Sequence, residues 1–157
     1  MLRTFLAIYR FCLFYLGLAS ECKKISPGKK HRFLSQVDGQ KCAKCGIVMR
    51  YYNGVMINHK THYDAVTVGH ILPQALGGSH SKWLIQPECK ICNAAHGAVF
   101  AELIHKYGLN KWDVPFFVLL QFVVYGAGQF KFSSFSEFDK EFQRHVLELR
   151  KKADVIQ

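Results

Sequence analysis

Two Cys-x-x-Cys pairs set the tightest limit on what this chain can fold into. Cys42-Ala-Lys-Cys45 and Cys89-Lys-Ile-Cys92 are separated by 43 residues. Four thiols in two close pairs can converge on one tetrahedral ion, and thiolate donors select zinc. The same residues read as redox pairs or as buried thiols would need no ion. Cys12 and Cys22 belong to neither pair. Zinc thiolates need a reducing compartment, so an intracellular location is expected.

A length of 157 residues suits one domain with extensions. The formal net charge is +10, from 21 Lys+Arg against 11 Asp+Glu. A surplus of that size favours a polyanionic partner, of which nucleic acid is the commonest. The organisation reads as an N-terminal apolar helix and basic linker (1–40), a central core (41–108) and a C-terminal helical extension (109–157). Phe5 to Ala19 is apolar like a secretory signal, which leaves export open, but Arg10 interrupts it. It is also short of the roughly 20 residues that span a bilayer, so a helix packed on the domain is expected and a membrane partner is not. Between Glu21 and Gln40, Pro27 and Gly28 break a basic stretch into a linker or phosphate-contacting arm carrying Lys29, Lys30 and Arg32.

Cys42 to Gly46 reads as a knuckle turn, followed by strands at Ile47–Tyr52 and Ala65–Val68. Cys92 to Gly108 has helical composition. The apolar run Phe116–Tyr125 suits a core helix or strand, and Ser134-x-x-Glu137 is a capping box opening a last helix with Arg144 and Lys151 on its polar side. Trp83 reads as core packing, with base stacking the alternative. His59, His62 and His80 read as loop residues.

Val68-Gly-His70-Ile-Leu-Pro73, then Gly77-Gly78, then Gln86-Pro-Glu-Cys89-Lys-Ile-Cys92-Asn93-Ala-Ala-His96-Gly97 follow Cys42 and Cys45 in one order, and residues 42–97 make up a little over a third of the chain. This stretch resembles the HNH endonuclease family in its four-cysteine zinc form, of the phage or mobile-element type. The resemblance implies an α+β fold: a small ββα-metal core stapled by zinc, with flanking helices. It implies a metal-dependent endonuclease cleaving DNA, or RNA, with no small-molecule substrate; a phage-encoded chain would work in a bacterial cytoplasm. The alternative is a degenerate zinc module that binds nucleic acid without cutting it.

The resemblance also assigns roles. Cys42, Cys45, Cys89 and Cys92 hold structural Zn²⁺. His70 is the general base, Asn93 a ligand of a catalytic Mg²⁺ or Mn²⁺, and His96 a second ligand or phosphate contact. Lys29, Lys30, Arg32, Arg144 and Lys151 supply nucleic-acid contacts. Two positions depart from the pattern. Gly69 stands where the family often has an acidic metal ligand, and Leu84 falls near the middle asparagine of the family name. Gly69→Asp is accordingly expected to restore a ligand, with His80 or Asp64 as further candidates.

Overall fold

A computed structural model describes residues 2–19, 25–52, 62–108, 110–127 and 136–154. The elements in order are α1 (Leu2–Tyr15), α2 (Pro27–Gln36), β1 (Val66–His70), β2 (Ile85–Cys89), α3 (Lys90–Tyr107), α4 (Phe116–Ala127) and α5 (Ser136–Asp154). The chain is therefore α+β, with one small sheet among helices. β1 and β2 pair antiparallel, with Val66 opposite Cys89, Val68 opposite Pro87 and His70 opposite Ile85. Successive side chains alternate across a strand, so His70 and Gly69 look to opposite sides of this sheet.

α3 begins where β2 ends. Cys89 caps it, its sulfur accepting the Cys92 backbone N–H at 3.5 Å. α1 lies against α4, where Phe11 stacks on Phe116 at 5.4 Å between ring centroids. α5 lies against α3. One continuous buried cluster takes Ala7 and Phe11 from α1, Leu34 from α2, Val66 and Val68 from β1, Val99 from α3, Phe122 from α4 and Phe142 from α5. The N-terminal, central and C-terminal segments thus share a core, and the apolar N-terminal run packs on the domain as a helix.

Several local expectations differ from what the backbone does. Pro27 opens α2 instead of breaking the segment, because a proline in the first helical turn forfeits no intrahelical bond. Ile47–Tyr52 is not a regular strand. It makes single bridges, Lys41 with Val48 and Arg50 with Ala65, and closes the knuckle through Met49 N–H to Gln40 O at 2.9 Å. The second strand of the sheet is instead Ile85–Cys89, whose Pro87 argues against a strand in sequence yet is tolerated where only one neighbour pairs. Phe116–Tyr125 resolves as helix. Trp83 is 42% exposed, with the Lys82 ammonium 4.9 Å from its ring centre, and is not core. Cys22, His59 and Ser134 lie outside the described residues, and α5 begins at Ser136 with Glu137 and Asp139 in its first turn. Among the described residues no helix is long and apolar enough to cross a membrane.

Candidate metal centre and active-site cleft

The knuckle turn and the start of α3 bring the four cysteines together. Their Sγ atoms all lie within 4.8 Å of one another. Cys45 and Cys89 sulfurs are 3.7 Å apart. Four sulfurs at about 2.3 Å from a central ion would be separated by roughly 3.8 Å, so this spacing is that of a tetrahedral edge. The Cys42 sulfur accepts backbone N–H groups from Cys89 at 3.2 Å and Lys44 at 3.5 Å. Hydrogen bonds from Cys45, Cys89 and Cys92 hold Cys42 far below the ordinary thiol range, while contacts with Cys42, Cys45 and Cys89 push Cys92 up. Four thiolates this close repel unless a cation sits among them. The group could hold a metal ion, and all-thiolate donors favour zinc.

Gly46 allows the turn, with φ of +75°. Cys42, Cys89 and Cys92 are buried and Cys45 is exposed. Lys44, between the knuckle cysteines, extends inward and donates to the Gly126 carbonyl at 2.9 Å, tying the knuckle to the end of α4. Burial lowers its ammonium pKa, against the opposing charge of Glu88.

His70 ends β1, and Asn93 lies in the opening turns of α3. Together with Pro73, Gln74, His96, Gly97 and Phe100 they line an open cleft of about 170 Å³. The His70 Nε2 lies 3.0 Å from His80 Nδ1, and His80 Nε2 lies 3.1 Å from the Gln74 amide. Burial, aided by His80, lowers the His70 pKa to about 4, so its ring is neutral at physiological pH.

His96 forms the inner wall of this cleft. Its ring stacks on Phe122 at 4.9 Å between centroids, nearly parallel. It is 5% exposed, and its Nε2 has no hydrogen-bond partner. Burial, then the charge of Lys44, lowers its pKa to about 3. Packed between helices, the ring acts as a wall, and Nε2 points to the tight junction with Gly126. A Cβ on that glycine would meet Nε2 at 3.0 Å and the Ile71 carbonyl at 2.8 Å.

The side-chain space at position 69 is already filled. A Cβ there would lie 2.4 Å from Glu88 Cδ and 2.8 Å from Glu88 Oε1. Glu88 is wholly buried, takes a 2.6 Å hydrogen bond from Gln86, and leaves Oε2 without a partner. Burial pushes its pKa up to about 7, opposed by Lys44. Glycine at 69 is thus a packing requirement of β2. Glu88 is not among the cleft-lining residues. The cleft offers a divalent cation the neutral amide oxygens of Asn93 and Gln74 and no carboxylate; these residues do not by themselves form an Mg²⁺ or Mn²⁺ site. Asp64 is engaged elsewhere, accepting the Tyr52 hydroxyl at 3.0 Å.

The expected phosphate contacts divide into two kinds. Lys29, Lys30 and Arg32 are exposed on α2 and Lys151 is exposed on α5, and among the described residues none of them has an ion pair assigned. Arg144 contacts Glu102 at 2.6 Å, Glu148 at 2.8 Å and Glu141 at 2.9 Å. Its charge is compensated within the fold, where it joins α5 to α3.

Gln74, Lys44 and Glu88 are the residues that sequence reasoning passed over as site-shaping, and His80, a candidate metal ligand from sequence, instead contacts His70. No family model matches the chain, and no curated protein and no solved structure matches it either.

Proposed function

We propose that this chain is a zinc-stapled endonuclease that hydrolyses phosphodiester bonds in DNA, with His70 as general base. The observation that carries the reading is the cleft that His70 and Asn93 share beside the four-cysteine centre. The neutral His70 ring takes a proton from a water in the cleft. The oxygen of that water bonds to phosphorus, the bond from phosphorus to the sugar oxygen breaks, and the leaving oxygen takes a proton from solvent. Asn93 hydrogen-bonds and orients the phosphate from the helix side.

The exposed cations of α2 and Lys151 anchor the phosphate backbone without reading sequence. Replacing Lys29, Lys30 and Arg32 by alanine together is expected to weaken binding to all sequences alike. It should also flatten the slope of log K against log salt by about 3, as phosphate contacts predict. Arg144→Ala should leave that slope nearly unchanged and instead lower the melting temperature. A loss confined to one sequence would mean these side chains read bases.

The test of cleavage is plasmid nicking with Mg²⁺ or Mn²⁺ by the zinc-loaded chain. His70→Ala should slow it by roughly 100-fold or more while binding persists. Because the base works unprotonated and its pKa is about 4, the rate should be flat above pH 6 and fall as pH drops through 4. A rate that climbs between pH 6 and 8 would assign the base elsewhere.

A second reading has its own observation. The filled space at Gly69 and the carboxylate-free cleft support a module that binds nucleic acid without cutting it. Tight, salt-sensitive binding with no nicking under either metal would select it.

A further inference from the structure

The Gly-Gly loop returns the chain toward β1 through two tight steps. Gly77 takes a φ of +85° after the short turn Gln74–Leu76. Gly78 donates to the Pro73 carbonyl at 3.1 Å, and a Cβ there would fall 1.9 Å from the Leu72 carbonyl oxygen. No residue but glycine fits either step. The loop so folded sets His80 edge-on to His70, with ring centroids 4.9 Å apart and planes at 62°. Both nitrogens of His80 are engaged, Nδ1 with His70 and Nε2 with the Gln74 amide.

We infer that His80 is a positioning residue for His70, fixing its tautomer so that Nδ1 is the nitrogen that accepts the proton; this rests on His70 being the base. The His70 Nε2 contact admits two proton arrangements. If His80 Nδ1 donates, His70 must carry its proton on Nδ1 and has no free lone pair. If His70 Nε2–H donates to His80 Nδ1, then His80 Nε2–H donates to the Gln74 carbonyl oxygen, and His70 Nδ1 is bare. The amide oxygen and nitrogen of Gln74 exchange places by a half-turn of the terminal torsion, so its side chain serves either arrangement.

Only the second arrangement survives the reaction. When Nδ1 takes a proton, the new imidazolium still points Nε2–H at a lone pair on His80. In the first arrangement the cation would set N–H against N–H. The other groups around His70 are neutral at physiological pH: Gln74 and Asn93 are amides, and His96 is held uncharged by burial. His80 therefore supplies the acceptor that a carboxylate often provides to a functional imidazole, at lower charge.

The experiment has two arms on the zinc-loaded full chain. Long-range ¹H–¹⁵N correlation of the imidazoles reads the tautomers without requiring activity. Wild type is expected to show His70 protonated at Nε2 and bare at Nδ1. His80→Phe, which keeps a ring and removes the acceptor, should leave His70 in mixed tautomers. It should lower kcat by about 10- to 100-fold with KM unchanged, the range typical for groups orienting an imidazole through its second nitrogen. His80→Asp, which restores an acceptor, should recover most of the rate. Should His80 variants fold poorly, Gln74→Ala, at an exposed position, should mix the His80 tautomers. A wild-type His70 protonated at Nδ1, or a His80→Phe protein that cuts as fast as wild type, overturns the assignment. If wild type never nicks DNA, the nuclease reading falls, while the tautomer spectrum still decides whether His80 orients His70.

Discussion

Cys45→Ala is expected to abolish metal binding and to cost the central region its cooperative melting, although Cys45 is exposed. Two contributions that usually coincide, ligation and core packing, come apart at these positions. Cys92 is wholly buried, so Cys92→Ala removes both a ligand and core volume. Cys45 projects from the knuckle and fills no cavity, so its loss acts through the metal alone. A structural zinc is worth about 10–16 kcal/mol in small metal-dependent folds, against a total stability of about 5–15 kcal/mol for a typical domain. The two variants should therefore be comparably destabilised. Metal content measured on purified protein should fall from one ion per chain to none in both. A chelator should bring wild type to the same melting behaviour and leave the variants unchanged. A Cys45→Ala protein that melts like wild type would mean that the four sulfurs gather without holding an ion.

Gly69→Asp carries the second large effect, opposite in sense to what the family resemblance implies. From sequence the change restores an acidic ligand; in the fold it drives a Cβ into Glu88, 2.4 Å from the carboxyl carbon. Gly69→Ala alone should cost about 1–3 kcal/mol through overpacking. Gly69→Asp adds a second carboxylate beside a buried one and should cost about 3–5 kcal/mol, the scale of an uncompensated buried charge. Glu88→Ala in the same chain should relieve much of the Gly69→Ala penalty, because the two positions compete for one volume. Chemical denaturation of the four proteins in that double-mutant cycle gives the coupling directly. Gly69→Ala with wild-type stability, or penalties that simply add, would mean that Glu88 yields freely.

The α+β class, the gathering of the four cysteines and the packed N-terminal helix were legible because each rests on local pattern: ligand spacing, residue order and apolar run length. What stayed hidden has physical causes. The strand at Ile85–Cys89 was masked by Pro87, which one-sided pairing tolerates. The knuckle segment Ile47–Tyr52 has strand-like composition but spends its backbone bonds closing a turn. At the site, His70 and Asn93 were visible as motif positions and do share a cleft. Burial of His96 depends on Phe122, far along the chain and on another helix. The reason for Gly69 lies on the opposite strand. The His70–His80 contact depends on two glycine conformations that no periodicity reports. Glu141 and Glu148, one turn either side of Arg144, were legible as partners in sequence, whereas Glu102 belongs to a different helix.

The loop that carries His80 is held from above by α1. Phe14 lies so close over Gly77 that a Cβ there would sit 2.5 Å from it, and the Arg10 guanidinium donates to the Gly77 carbonyl at 2.9 Å. This joins the timing of biosynthesis to the shape of the cleft. At about 5–20 residues per second, α1 leaves the ribosome several seconds before its partner helix α4 exists. During that interval Phe11 lacks Phe116, its partner on α4, and the apolar run is open to whatever factors bind nascent hydrophobic segments. Capture of α1 at that stage would yield a chain able to gather its four sulfurs, since the knuckle and α3 are complete earlier, but with the Gly-Gly loop unbraced and His80 adrift from His70. Two populations with equal zinc content and different imidazole spectra would be the mark of that divided fate.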